Sequence, residues 1–153
     1  MNMDRATFES FKSQGYNRIP VVREVLADTD TPLSTYLKLG KGPHSYFFES
    51  IQGGEKWGRF SIIGLPCSTV LRVVGDRLTV ECEGEVIEAL ETSDPFEFIE
   101  AYKARFNVAE VTDNQRFGGG LVGYFAYDSV RYVEQSIGPA KDPGALDTPD
   151  ILL

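Results

Sequence analysis

Thr69-Val70-Leu71-Arg72-Val73-Val74-Gly75-Asp76-Arg77-Leu78-Thr79-Val80-Glu81-Cys82-Glu83-Gly84-Glu85-Val86-Ile87-Glu88-Ala89-Leu90 holds three short runs rich in β-branched and aliphatic residues. They are separated by Gly75-Asp76 and Glu83-Gly84, pairs that suit tight hairpin connections. Leu78, Val80 and Cys82 alternate with Thr79 and Glu81, the period of a strand with one side on a core and the other in water. An antiparallel meander over 69–74, 78–82 and 85–90 is the expectation. A sheet with one apolar face needs a cover, and the flanking sequence supplies helices. Asp94 is an N-cap, Pro95 stands at the first helical position and Glu97 at the capping-box position, while Ile99, Tyr102 and Phe106 line one side. Upstream, Thr31-Pro32 opens a helix with Leu33, Tyr36 and Leu37 on one face, closed by Gly40. A further helix runs from Asp4 to Gln14, with Phe8 and Phe11 at helical spacing and Gly15 suited to a left-handed C-cap.

Two more strands are expected at Tyr46–Glu49 and Phe60–Ile63, joined by a polar, glycine-rich stretch from Gln52 to Gly58, and a last one at Leu121–Tyr127. With no repeat or low-complexity tract, residues 1–153 are predicted to form one α+β unit, an antiparallel β-sheet meander with covering helices. At the far end, Asp147-Thr148-Pro149-Asp150 has the chemistry of a turn that introduces an element. Ile151-Leu152-Leu153 then follow with nothing to cover them, so the polypeptide is expected to be cut inside a strand.

Composition narrows the function. The 153 residues are 42% hydrophobic and 12% aromatic, material for a real core, and carry 15 basic against 23 acidic side chains for a net charge of −8. With no clustered Lys/Arg stripe, neither nucleic acid nor an anionic membrane is an expected partner. The N-terminus lacks the apolar run of a secretory signal, and no later stretch approaches the roughly 20 apolar residues that span a bilayer. Two cysteines, Cys67 and Cys82, and no Asn-x-Ser/Thr acceptor suit a reducing cytoplasm, with the thiols free.

Catalytic signals are sparse. His44, the one histidine, sits in the turn-like Gly42-Pro43-His44-Ser45, the cysteines have no histidine beside them, and no Gly-x-Ser-x-Gly elbow occurs. No catalytic residue and no metal ligand is assigned. Gly118-Gly119-Gly120-Leu121-Val122-Gly123 matches G-x-G-x-x-G, but a dinucleotide site needs a buried strand before it and a helix after it. Polar residues precede these glycines and strand-like ones follow, so they are read as permitting close backbone approach or a bulge. Glu49-Ser50-Ile51 and Arg59-Phe60-Ser61-Ile62 are of more interest. If their strands pair, Glu49 could meet an ammonium, Ser50 and Ser61 could donate hydrogen bonds, and Ile51 and Ile62 could form an apolar wall, a pocket for an amino acid with a large apolar side chain. Without further information, Glu and Ser at a strand end more often satisfy a turn.

Several runs carry a resemblance. Ile19-Pro20-Val21-Val22-Arg23-Glu24, Pro32-Leu33-Ser34-Thr35-Tyr36-Leu37, Tyr46-Phe47-Phe48-Glu49-Ser50-Ile51-Gln52-Gly53-Gly54, Gly58-Arg59-Phe60-Ser61-Ile62-Ile63-Gly64 and Gly119-Gly120-Leu121-Val122-Gly123-Tyr124-Phe125-Ala126-Tyr127-Asp128 closely resemble the N-terminal region of the anthranilate synthase component I family of chorismate-utilising enzymes. The resemblance spans nearly the whole chain. It implies a lyase that makes anthranilate and pyruvate from chorismate and ammonia, with Mg2+ as cofactor and a glutamine amidotransferase subunit (component II) as partner. It also implies feedback inhibition by L-tryptophan, bound by Glu49, Ser50, Ile51, Ser61 and Ile62. Phe47-Phe48 stands where many members carry Leu-Leu. The metal-binding and acid-base groups of the family belong to a C-terminal portion that has no counterpart in these 153 residues, so the chain alone is expected to be inactive. Aminodeoxychorismate synthase component I, a near relative, and a free-standing ligand-binding module are the alternatives. The Ile19–Glu24 run fits the anthranilate enzyme better.

Overall fold

The computed structural model describes residues 3–49, 60–110, 119–138 and 148–153. In chain order its elements are α1 (Arg5–Ser13), α2 (Pro32–Leu39), β1 (Tyr46–Glu49), β2 (Ser61–Gly64), β3 (Thr69–Val74), β4 (Arg77–Cys82), β5 (Glu85–Glu91), α3 (Pro95–Lys103), β6 (Tyr124–Phe125), two 3-10 turns (Tyr127–Tyr132 and Gln135–Ile137) and β7 (Ile151–Leu152). The α+β expectation holds. The meander forms as β5-β4-β3 and is extended on the far side of β3 by β7 and then β6, while β1 and β2 make a separate two-stranded sheet. Every one of these strand pairings is antiparallel.

Hairpin chemistry sets the meander's register. Glu83 and Gly84 both take positive φ, the geometry of a type I′ turn, so the β4–β5 connection matches the right-handed twist of its strands. On the covered face Leu71, Val73, Leu78 and Val80 form one buried cluster with Ile99 and Tyr102 of α3 and with Ile151, which has no solvent exposure at all. Thr79, expected on the water side, is also buried. It lies in the central strand β4, between Arg72 of β3 and Ala89 of β5, on the face where Arg72 and Glu81 form an ion pair at 3.4 Å.

Helix starts follow the expected logic with one change, and α3 ends at Lys103, so Phe106, expected on its apolar side, lies beyond the helix and packs on Tyr102 from there. The side chains of Asp4, Thr31 and Asp94 all cap their helices, and at α2 the capping box is completed by Ser34. At α3 Glu97 takes no part in a reciprocal box. The Asp94 carboxylate accepts from the backbone N–H groups of Phe96 and Glu97, and the Asp94 N–H donates to Thr92 Oγ1 instead. At the rim of the core Arg105 makes two bonds to the Glu88 carboxylate, 2.7 and 2.8 Å, and lies over the Tyr102 ring. The guanidinium hydrogen bonds hold the Glu88 carboxyl below its ordinary range.

The final apolar triplet corrects its expectation of exposure. Ile151–Leu152 pairs with both β3 and β6, and Ile151 is core. The predicted strand 121–127 shrinks to Tyr124–Phe125, because its partner β7 offers only two residues and Ser129 then turns the chain by bonding the Ala126 carbonyl. Asp150 ties this corner together. Its N–H donates to Val73 O, its carbonyl accepts from Ala126 N, and its carboxylate accepts from Gly75 N and Tyr132 Oη, each at 2.8 Å. Burial first, and the Asp150 bond second, push the Tyr132 phenol well above its ordinary range. Tyr132→Phe removes the charge-assisted bond while keeping the ring, and should cost about 1–2 kcal/mol, read as a lower urea midpoint with an unchanged slope.

Candidate functional site

The site begins with α2 and the β1–β2 hairpin. In β1 Phe47 and Glu49 point to one face and Tyr46 and Phe48 to the other. The register sets Glu49 directly across from Ser61, Phe48 from Ile62, Phe47 from Ile63 and Tyr46 from Gly64. Residues directly opposite in an antiparallel pair share a face, so the carboxylate of Glu49 and the alcohol of Ser61 stand side by side. Glu49 is exposed and Ser61 half-buried. Ile62 lies on the reverse face with Phe48 and Tyr46, away from that pair. Ser50 and Ile51, the other two residues expected in the pocket, lie outside the described residues, as does the 52–58 connection.

Helix α2 covers the Phe47 end of the acidic face. Tyr36 stacks on Phe47 with ring centroids 5.6 Å apart and planes 17° from parallel, and its hydroxyl is 3.2 Å from Ser45 Oγ. The other face is closed by its own aromatics. Tyr46 packs on Phe48, and its ring covers Gly64, where a Cβ would come within 2.0 Å of it. One face therefore offers a carboxylate, an alcohol and an aromatic floor at its end, which together can hold a cationic amine beside an apolar group. The Leu33/Tyr36/Leu37 periodicity predicts a packed face on α2, yet Leu33 and Leu37 are more than half exposed and Tyr36 alone of the three stacks on the hairpin; nothing local in the sequence says that it meets Phe47.

A separate open depression of about 430 Å³ lies where β3 begins and β4 ends, lined by Pro43, His44, Pro66, Cys67, Val70 and Glu81 among others. It contains neither Glu49 nor Ser61. His44 is exposed there with φ 56°, in a turn as expected. Both cysteines are free thiols. Among the described residues no three His, Cys, Asp or Glu side chains converge as a metal site, and no helix is long and apolar enough to cross a membrane.

The G-x-G-x-x-G stretch has a structural explanation at its last glycine. A Cβ on Gly123 would lie 1.8 Å from the Leu152 carbonyl oxygen, so the backbone of the β6 strand approaches that of β7 too closely for any side chain. After it comes a two-residue strand and a 3-10 turn, not the helix a dinucleotide site needs.

No protein-family profile matches the chain. Curated proteins do. Over 151 residues, 99% of the chain, it is 54% identical to anthranilate synthase component 1 of Pseudomonas aeruginosa. The chain is a homologue of part of anthranilate synthase component 1. The protein of that name from Neisseria gonorrhoeae is 46% identical over 154 residues, and that from Aquifex aeolicus 42% identical over 155. The chain spans about a third of the length of these relatives, 31% in each case. The match to anthranilate synthase component 1 takes in α2 and the β1–β2 hairpin together with the meander, since it covers 99 to 100% of the chain.

Proposed function

We propose that the chain is the N-terminal regulatory and scaffolding portion of a cytoplasmic anthranilate synthase component 1. The complete enzyme is a lyase that turns chorismate and ammonia into anthranilate and pyruvate for tryptophan biosynthesis, with ammonia delivered by a glutamine amidotransferase subunit. L-Tryptophan is its feedback inhibitor. The observation that carries the regulatory part is the direct opposition of Glu49 and Ser61 on one hairpin face. In this account the ammonium of tryptophan meets the Glu49 carboxylate, Ser50 and Ser61 supply hydrogen bonds and Ile51 supplies apolar surface, while Ile62, on the reverse face, takes no part in the contact with the amine. A charge-assisted bond of this kind gives an amino-acid effector both affinity and orientation.

Inhibition then follows from differential affinity. Tryptophan binds the arrangement of the two portions that is unfavourable for catalysis more tightly than the active one, and a coupling of about 1–3 kcal/mol is enough. A surface that expects company supports this. Val25, Leu26, Tyr127 and Val133 are at least two-thirds exposed, apolar surface that the remainder of the enzyme would cover in this reading. In this reading the metal and the acid-base chemistry belong to the remainder of the enzyme, and the 153-residue chain assayed alone is expected to be inactive.

The complete gene product, supplied with chorismate, ammonia and magnesium, is expected to release anthranilate, identified by its fluorescence and mass. Release of aminodeoxychorismate would replace this assignment with the neighbouring enzyme. A stop codon directly after Leu153 would replace it with a free-standing binding module. In the same assay Ser50→Phe should abolish tryptophan inhibition, and unchanged inhibition would remove the residue from the effector site.

A further inference from the structure

We infer that Tyr36 is a positioning residue for the effector site, acting through Phe47 to set the presentation of the Glu49–Ser61 pair. The inference rests on the tryptophan-site proposal above and adds a residue from a different element to it. The geometry is specific. The β1–β2 hairpin is four residues on each side and, among the described residues, pairs with no other strand, so its own ladder does not fix its orientation. A two-stranded ribbon of that size is marginal in water and needs packing against something else.

Helix α2 supplies that packing at one ring. Tyr36 stacks on Phe47, and its hydroxyl meets Ser45 immediately before the strand, so stack and hydrogen bond grip the hairpin at its start. Phe47 and Glu49 are two residues apart on one strand and therefore on the same face. A shift of the strand at Phe47 also moves the backbone that carries Glu49, one pleat further on. Tyr36 is itself fixed from behind, because its ring packs on Gly40, where a Cβ would come within 2.4 Å of it. The chain from Thr31 to Ser34 is locked by the capping box, so the helix that carries Tyr36 has a rigid start. An aromatic stack of this type is worth a few-fold to about tenfold in an equilibrium that depends on it.

The test uses the complete enzyme and reads half-inhibition by L-tryptophan together with kcat and the chorismate KM. Tyr36→Leu is expected to raise the half-inhibiting concentration roughly three- to tenfold with kcat and KM within about twofold of the parent. Tyr36→Phe, which keeps the stack and loses only the Ser45 bond, should stay within about threefold of the parent inhibition. If Tyr36→Leu fails to fold, Phe47→Leu opens the same stack from the strand side and is expected to shift inhibition in the same direction. Unchanged inhibition in both leucine variants, while Glu49→Ala weakens it, would overturn the positioning role and leave the tryptophan site standing. Unchanged inhibition in Glu49→Ala as well would overturn both. A lower melting temperature with unchanged inhibition would mark Tyr36 as a packing residue only.

Discussion

Gly123→Ala is expected to destabilise the 153-residue chain by about 3–5 kcal/mol, enough to leave much of it unfolded at 37 °C if its stability lies at the low end of the usual range. The alanine methyl would stand 1.8 Å from Leu152 O, 2.7 Å from Leu152 C and 2.9 Å from Leu153 Cα. All three are backbone atoms, so no side-chain rotation relieves the clash. The strand must leave β7, and the pairs Tyr124–Leu152 and Phe125–Ile151 go with it. Ile151 has no exposed surface, and pulling it even partly from its place beside Val73 in the core cluster adds the cost of an emptied core site. Urea titration of parent and variant measures the difference. A loss below about 1 kcal/mol would mean that β6 and β7 do not lie as close as described.

The second large effect is functional. Glu49→Ala in the complete enzyme should raise the tryptophan concentration for half-inhibition by roughly ten- to a hundredfold, the loss expected when a charged hydrogen-bond partner is removed. Ser61→Ala removes a neutral partner and should cost less, about two- to tenfold. Since the two side chains stand directly opposite, their effects should not add, and the double variant should be less impaired than the product of the two singles. Steady-state inhibition curves for the four proteins give both numbers. Independent effects would place the two residues in different environments.

Much of this architecture is legible in the sequence, for reasons that are local. The meander announces itself because Gly75-Asp76 and Glu83-Gly84 can only make tight turns and the runs between them alternate. The helix starts are equally local, since Asp4, Thr31 and Asp94 bond to backbone groups within three residues. What local pattern does not reveal is long-range pairing. The destination of Ile151–Leu152 between β3 and β6 depends on partners far away in the chain, and so does the shortening of the 121–127 strand to two residues. Thr79 is buried in a strand flanked on both sides, by β3 and β5, a placement that alternation alone cannot foresee. At the candidate site, the likeness of the Glu49-Ser50 and Ser61-Ile62 runs to a known family points to the residues, and the register brings Glu49 and Ser61 to one face. It also turns Ile62 to the other, a consequence of the one-residue offset that any strand imposes on neighbouring side chains.

The claim on which the regulatory account stands is that Glu49 receives the amine of the effector. It is tested most directly by comparing L-tryptophan with indole-3-propionate, the same skeleton without the amino group, as inhibitors of the complete enzyme and of its Glu49→Ala variant. The parent enzyme should prefer L-tryptophan by at least about tenfold, and Glu49→Ala should bring the two compounds to near equality, because only the amine loses a partner. If the variant keeps the parent's full preference for the amine, the carboxylate at position 49 does not bind it.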